Sequence, residues 1–201
     1  IYKGGTTIMI AHFLKKIKSV KKVFACDAFI GLPYDDKFST RAKNSVGMFS
    51  DTSAKLVLDK FRKFEVDDKI QLLEGLFEDT LNKKLTNNNF SIVIIDCDLY
   101  DATKYSLDFV WLRLSKNGFI IFDEYEGRPL DMKRSKWGET KAVANRNFLL
   151  GDFVSVCYNI ENSKFVGNGG KFMEEYLTVK ETGDLLRVSE KTIRAWIKQR
   201  K

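Results

Sequence analysis

Apolar positions along the first 165 residues follow two different periods. They recur at helical spacing over residues 6–18 and again over about residues 51–64. Between and after these segments stand short continuous apolar runs, which are typical of buried strands. The alternation predicts a mostly parallel α/β sheet. The predicted strands are residues 23–26, 70–73, 90–95 and 119–122, with a closing hairpin at 153–160 and 164–166; further helices are predicted over 102–114 and 139–149.

The strand over residues 90–95 is the most strongly β-branched of the set, so we expect it to be covered on both faces. Asn117-Gly118 is interpreted as a stop before the next strand.

The pattern breaks in the glycine-rich segment after Val166, and two short helical patterns follow it. We therefore predict an α/β domain over residues 1–166, a linker over 167–174 and a small helical unit over 175–201.

The beginning of the chain indicates an incomplete sheet. The sequence opens with Ile1 in place of methionine and reaches the turn Gly4-Gly5-Thr6 at once. A turn of this kind normally follows a strand. We expect the first strand of the sheet to be missing, and we identify no signal peptide.

Composition narrows the possible function classes. The 201 residues carry 34 Lys and Arg against 27 Asp and Glu, a net charge of +7, which is compatible with an anionic ligand or with nucleic acid. No apolar run reaches the 18 residues of a membrane span, so we expect a cytoplasmic protein. A single histidine excludes a multi-histidine metal site. Three cysteines, far apart, argue against a disulfide framework.

Acidic residues follow three of the predicted strands. Since the carboxyl ends of parallel strands meet at one edge of a sheet, we expect the acids after the third and fourth strands to lie side by side. Clustered carboxylates repel one another, and a hard divalent cation such as Mg²⁺ removes that conflict. Alternatively, the acids cap helices or pair with Lys104 and Arg128. The acids concerned are Asp27, Asp96, Asp98, Asp123 and Glu124.

Asp27 has a second interpretation. It ends the second strand of the sheet if the missing strand is counted as the first. An acid at that position commonly binds the ribose hydroxyls of a nucleotide cofactor. The Gly4-Gly5 turn at the start of a helix fits the same end of the sheet, although a short glycine turn alone is a weak signal.

Four sequence blocks resemble a known family. They are residues 26–33 (CDAFIGLP), 74–81 (EGLFEDTL), 95–103 (IDCDLYDAT) and 123–125 (DEY), in that order. Together they resemble the macrocin O-methyltransferase family, whose members use S-adenosylmethionine to methylate sugar hydroxyls of antibiotics and related glycosides. The resemblance covers about residues 1–165. It implies a Rossmann-like class I methyltransferase sheet with one antiparallel strand, and Mg²⁺ at the substrate site.

The resemblance also implies roles for individual residues. Asp98 is the implied general base, and Glu124 stands where the family usually has aspartate. The implied metal ligands are Asp96, Asp123 and Glu124, and the implied cofactor-binding residues are Gly4, Gly5, Thr6, Asp27, Glu74, Gly75 and Phe77.

The tail resembles a different kind of module. Residues 176–198 are similar to an excisionase or MerR-type helix-turn-helix, with Thr178 and Ser189 as the expected helix caps. From Arg187 onward there are six basic residues and one acid, which suits phosphate contacts. The residues expected to contact DNA are Lys191, Thr192, Arg194 and Lys198.

Two functions from different classes follow. The first is a metal-assisted, S-adenosylmethionine-dependent O-methyltransferase acting on a sugar hydroxyl or a similar diol-bearing acceptor. The alternative is a DNA-binding regulator whose α/β part senses a nucleotide-like ligand. A fusion of two unrelated reading frames is a third interpretation of the junction at 167–170. A homo-oligomer is compatible with each of them.

Overall fold

Helices and strands alternate along the chain, as the apolar pattern predicts. The computed structural model describes residues 1–39, 45–123, 138–144, 154–159 and 164–167. A short 3₁₀ turn, Asp67–Lys69, precedes the second strand. The elements within these ranges are α1 (Gly5–Lys16), β1 (Val23–Asp27), α2 (Ala54–Lys63), β2 (Ile70–Glu74), α3 (Phe77–Leu85), β3 (Phe90–Ile95), α4 (Tyr100–Trp111), β4 (Leu114–Phe122), α5 (Gly138–Ala144), β5 (Val154–Asn159) and β6 (Lys164–Gly167).

The described strands form two hydrogen-bonded sheets. β1 pairs in parallel with β2, in a register that sets Asp27 opposite Glu74. The second sheet has the order β3-β4-β5-β6. Its first three strands are parallel and β6 is antiparallel to β5, which confirms the predicted mostly parallel sheet and the closing hairpin.

The two sheets lie beside each other. The Phe24 and Phe90 rings meet edge to face with centroids 6.3 Å apart, and Lys21 Nζ donates to Ser91 Oγ at 2.9 Å. Cys26, near the carboxyl end of β1, and Cys97, just after β3, pack against the same core cluster. The carboxyl ends of β1 and β3 therefore point toward the same side of the molecule.

Successive side chains along β1 and β2 point to opposite faces of the sheet, and the two faces belong to two separate cores. Phe24 and Leu73 belong to a core built mainly from α3, α4 and the second sheet. Leu72, on the opposite face, packs instead with Val57 and Phe61, in a core that α1 and α2 provide. Helices thus cover both faces of the first sheet, as expected for parallel strands.

Helix α2 begins where the sequence places a capping residue. Ser53 is its N-cap, and the Ser53 side chain accepts a hydrogen bond from Leu56 N at 3.3 Å. This satisfies one of the first-turn N–H groups, which have no partner inside the helix. Ala54, Val57 and Phe61 form the buried face.

Helix α3 is not among the helices predicted from the apolar pattern. α3 carries Glu78 and Asp79 in its first turn and two lysines in its last, the charge order that the helix dipole favours. Its buried Leu81 and Leu85 follow Phe77 at intervals of four residues. The helical period is therefore present but short, which is why it gives a weak signal in the sequence.

The interpretation of Asn117-Gly118 as a stop was wrong. Both residues lie inside β4, which begins at Leu114. The pairing with β3 passes from Phe90–Leu114 directly to Ile92–Phe119, so the intervening residues of β4 form an irregularity in the ladder. A glycine fits there because a Cβ on Gly118 would lie 2.9 Å from Leu114 Cδ1.

The expectation that β3 is covered on both faces also fails. Ile92 is 63% exposed and Ile94 is 39% exposed, whereas Ile95 is buried. Ile95 and Val93 pack into the core with α3 and α4. Coverage of the second face is therefore incomplete, even though the apolar run is continuous.

No helix in the described ranges is both long enough and apolar enough to cross a membrane. The proposed linker (167–174) and helix-turn-helix (175–201) fall almost wholly outside the described residues, which reach only Gly167. These two domain assignments stay predictions.

Replacing Phe61 tests the core formed by α1 and α2. Phe61 is 1% exposed, so Phe61→Ala should lower the free energy of unfolding by about 3–5 kcal/mol through lost burial and a residual cavity. Leu56 lies on the same helix but is 55% exposed, and Leu56→Ala should change the free energy of unfolding by less than about 1 kcal/mol. Urea denaturation measures both, and equal losses would contradict this packing.

Candidate functional site at the carboxyl ends of the strands

Asp96 and Asp123 are brought together by the pairing of β3 with β4. Ile95 pairs with Phe122, and Asp123 N donates to Ile95 O at 3.1 Å. The ladder thus continues to the residues that carry the two acids. Asp96 is exposed and Asp123 is half-buried. The predicted juxtaposition of these strand ends is confirmed.

Asp98 occupies a strained turn just beyond β3. Its φ is 60°, in the left-handed region that non-glycine residues seldom adopt. Leu99 N donates to Cys97 O at 2.6 Å, which closes a three-residue turn with Asp98 at its centre. Such a conformation costs about 1–3 kcal/mol and persists where the surrounding structure fixes it. The backbone at Asp98 is therefore held by its surroundings.

Cys97, between these two acids, is kept in its thiol form. Burial raises the pKa of the Cys97 thiol well above its ordinary value, and the nearby negative charge of Glu139 raises it further. A hydrogen-bond contact of 3.3 Å with Thr103 Oγ1 opposes these effects only in part. Cys97 is consequently a packing residue rather than a nucleophile.

Asp27 anchors the first residues of the chain. Its Oδ2 accepts hydrogen bonds from the Ile1 amino group at 2.8 Å and from Tyr2 N at 3.0 Å, and Oδ1 accepts one from Phe29 N at 2.8 Å. Burial alone would raise the pKa of the Asp27 carboxyl. The positive charge on Ile1 and these hydrogen bonds outweigh burial and hold the pKa below its ordinary value of 3.8.

The turn before α1 requires a glycine at its centre. Gly4 has φ 80°, and a Cβ there would lie 3.1 Å from both Phe61 Cε1 and Val57 Cγ1. The first turn of α1 has no side-chain cap and no acidic residue. Main-chain N–H groups of Gly5 and Thr6 are thus available near Asp27 for an acceptor group of a ligand.

Glu74, Gly75 and Phe77 lie on the same side, next to Asp27. Glu74 is opposite Asp27 in the ladder, and Gly75 N donates to Asp27 O at 3.0 Å. Gly75 has φ 133°, which favours glycine, and the half-buried Phe77 starts α3. The structure therefore places the predicted cofactor-binding residues in two adjacent turns.

The predicted metal site is described only in part. Asp96 and Asp123 are adjacent, but Glu124 lies outside the described residues. Among the residues that are described, no group of three or more acidic, cysteine or histidine side chains is arranged to hold a metal ion. Lys104, considered above as a partner for the strand-end acids, forms an ion pair with Asp108 on its own helix at 2.9 Å.

The predicted DNA-contacting residues also lie outside the described part of the chain. They are Lys191, Thr192, Arg194 and Lys198. Their role stays a prediction.

Two acidic residues next to the site were not singled out from the sequence. Asp36 is 5% exposed and accepts hydrogen bonds from Phe38 N and from Tyr100 N, at the start of α4. Glu139, in the first turn of α5, is fully buried, and its N–H donates to Asp98 O at 3.3 Å. Neither carries a local sequence signal, because the contacts that bury them come from distant parts of the chain.

Parallel strands with acids and a glycine turn at their carboxyl ends define an α/β protein of the nucleotide-cofactor-binding type. Residues 1–145 match the macrocin-O-methyltransferase (TylF) family, and the chain belongs to that family.

Three relatives that the chain resembles in sequence are O-methyltransferases. The 8-demethyl-8-(2,3-dimethoxy-alpha-L-rhamnosyl)-tetracenomycin-C 4'-O-methyltransferase of Streptomyces olivaceus is 29% identical over 132 residues, which cover 62% of this chain and 50% of that protein. Demethyldecarbamoylnovobiocin O-methyltransferase of Streptomyces niveus is 26% identical, with the same coverage. Mycinamicin III 3''-O-methyltransferase of Micromonospora griseorubida is 28% identical and matches over 62% of this chain and 52% of its own.

The chain therefore spans about half the length of the curated relatives it matches.

Solved structures share the fold. The O-methyltransferase NovP superposes with a TM-score of 0.59 at 22% identity, over 76% of this chain and 65% of the NovP chain. CalS11, a calicheamicin methyltransferase, gives a TM-score of 0.55 at 23% identity, over 71% and 60% of the two chains. The α/β fold is thus that of methyltransferases.

The anchoring role of Asp27 predicts a pH-dependent stability. Because its pKa is lowered in the folded state, its contribution is fully present at neutral pH and is lost as pH falls below about 3.8. Asp27→Asn should lower the free energy of unfolding by about 2 kcal/mol at pH 7, and the difference from the wild type should shrink toward pH 3. Denaturation at both pH values measures this.

The matched control is Asp59→Asn, on the surface of α2, where the side chain is 52% exposed. Asp59→Asn should change the free energy of unfolding by less than about 1 kcal/mol at either pH. A loss for Asp27→Asn that is the same at pH 3 and pH 7 would show that the charge of Asp27 does not carry the contribution.

Proposed function

We propose that this protein is an S-adenosylmethionine-dependent O-methyltransferase that methylates a sugar hydroxyl of a diol-bearing small molecule. The observation that carries the proposal is the strained turn at Asp98, beside the paired strand ends of Asp96 and Asp123, in a member of the macrocin-O-methyltransferase family. Two relatives, a rhamnosyl-tetracenomycin O-methyltransferase and a mycinamicin O-methyltransferase, support an acceptor that is a glycoside.

The residues around Asp27 fit the cofactor. S-adenosylmethionine, when bound, supplies a methyl group on a positively charged sulfur. The uncapped first turn of α1 offers N–H donors to a carboxylate, and Gly4 keeps the approach to that turn free of a side chain. Glu74 and Phe77 would lie near the adenine.

Asp27 has limited capacity for a ribose hydroxyl. A carboxylate has about four lone-pair sites, and Asp27 already accepts three hydrogen bonds. One lone-pair site on Oδ1 is left for a ribose hydroxyl group.

Asp96 and Asp123 fit two ligands of a divalent cation. Both are carboxylates at adjacent strand ends, the oxygen donors that Mg²⁺ prefers. Glu124 would be the third ligand. A cation bound there would supply Lewis acidity to the sugar hydroxyls and lower their pKa.

Asp98 would act as the general base. It would accept the proton that the sugar hydroxyl loses as the oxygen bonds to the methyl carbon and the carbon–sulfur bond breaks. The fixed turn contributes by holding the carboxylate in one place, since attack on the methyl carbon requires an aligned hydroxyl.

Methyl transfer to a rhamnoside tests the proposal. With radiolabelled S-adenosylmethionine and p-nitrophenyl α-L-rhamnoside, the wild-type chain should form a methylated glycoside, and Asp98→Asn should lower kcat about 100-fold or more by removal of the base. Asp108→Asn, at an exposed position of α4, should behave as the wild type. An Asp98→Asn variant with full kcat would rule out the base assignment.

Calorimetry tests the metal assignment separately from activity. Mg²⁺ should bind the wild-type chain, and Asp96→Asn should weaken that binding about tenfold or more by loss of one charged ligand. Asp108→Asn again serves as the control, since it removes the same charge away from the strand ends. Equal Mg²⁺ binding by wild type and Asp96→Asn would rule out Asp96 as a ligand of the cation.

A further inference from the structure

Asp98 needs support from outside its own segment. Its left-handed backbone is unfavourable by about 1–3 kcal/mol, and such a residue persists only where neighbouring structure fixes it. The turn lies between the end of β3 and the start of α4. Whatever fixes the first residues of α4 therefore also fixes Asp98.

Helix α4 has no capping side chain of its own. Its N-cap is Leu99, whose side chain has no oxygen. The cap comes instead from 64 residues earlier in the chain, where Asp36 Oδ2 accepts a hydrogen bond from Tyr100 N at 2.6 Å. A carboxylate at this end of a helix gains both a charge-assisted hydrogen bond and a favourable dipole interaction.

Asp36 is itself firmly held. It is 5% exposed, and its other oxygen accepts a hydrogen bond from Phe38 N at 2.8 Å. The Phe38 and Tyr100 rings pack with centroids 4.2 Å apart. Because Asp36 is buried and both of its carboxylate oxygens bind main-chain N–H groups, it acts on the start of the helix.

Apolar packing adds to this attachment. Leu32 and Leu99 are both buried and form a small core cluster with Ala102. The segment from Leu32 to Phe38 is thus attached to the start of α4 by a charged hydrogen bond, an aromatic contact and an apolar cluster. We call this segment the capping segment.

Helix α5 closes the arrangement from another side. A Cβ on Gly138 would lie 1.8 Å from Asp36 Oδ2 and 2.5 Å from Tyr100 N, so only glycine fits against this hydrogen bond. The next residue, Glu139, donates its N–H to Asp98 O at 3.3 Å. The turn at Asp98 is therefore held by the capped helix α4 and by the first residues of α5.

We infer that Asp36 is a positioning residue, which sets the place of the Asp98 carboxylate by capping α4 at Tyr100. This inference rests on the proposed role of Asp98 as the base. It extends the functional set to a residue that touches neither cofactor nor acceptor.

Kinetics of the full chain test the inference with S-adenosylmethionine and p-nitrophenyl α-L-rhamnoside. Asp36→Ala should lower kcat about 100-fold, because small displacements of a reacting group are costly. The KM for S-adenosylmethionine should change by less than about twofold. Asp36→Asn keeps an acceptor oxygen for Tyr100 N but loses the one for Phe38 N, and should recover part of the lost rate.

The matched control is Asp101→Asn. Asp101 lies in the first turn of the same helix and loses the same charge, but its side chain is exposed and does not cap Tyr100. It should leave kcat unchanged. Full kcat in Asp36→Ala, or an equal loss in Asp36→Asn and Asp36→Ala, would overturn the inference.

Amide hydrogen exchange separates this inference from the proposed function. In Asp36→Ala the Tyr100 amide should exchange at least about tenfold faster, as expected for a lost hydrogen bond, while amides of β1 and β2 keep their wild-type rates. If the wild type transfers no methyl group, the proposed function fails, and the exchange result decides the capping role alone. An unchanged Tyr100 rate would overturn that role.

A second variant covers the case in which Asp36→Ala does not fold. Gly138→Ala keeps the Asp36 carboxylate but pushes a methyl group against it, and should produce the same kcat loss and the same faster exchange at Tyr100. Wild-type kcat and exchange in Gly138→Ala would count against the inference.

Discussion

The parallel pairing of β3 with β4 is the constraint on which the candidate site depends. Because Ile95 pairs with Phe122 and the ladder continues to Asp123 N, the residues that follow the two strands have no freedom to separate. The sheet therefore fixes the main-chain positions of Asp96 and Asp123 at one edge, and the proposed chemistry uses the carboxylates that these two residues carry.

Much of this arrangement follows from residue order alone. Continuous apolar runs ended by acids are sufficient to predict β1, β3 and β4. They also predict that Asp96 and Asp123 are adjacent, because the carboxyl ends of neighbouring parallel strands lie at the same edge of the sheet. Three features were not predictable in the same way. Helix α3 has only two and a half turns, the extra residues in β4 follow from its register with β3, and Asp36 finds its partner 64 residues away. Local patterns carry no information about such distant partners.

The two ends of the site are built on different physical principles. At Asp27 a charged carboxylate is satisfied by main-chain and amino hydrogen bonds, so a ligand there has to compete with protein donors. At Asp98 the backbone is held in the left-handed region by contacts from α4 and α5. The first end can adapt to its ligand. The second is preorganised, as a group that moves a proton requires.

The span of the Asp36–Tyr100 hydrogen bond has a consequence for folding. Closing a loop of 64 residues costs conformational entropy, and the capping segment belongs to neither sheet, so it can detach without breaking a strand pairing. Detachment of the same segment is then a partial opening of lower free energy than global unfolding. Mild heating or low denaturant would release the turn at Asp98 while the strands remain paired. The protein would lose its proposed base before it loses its fold.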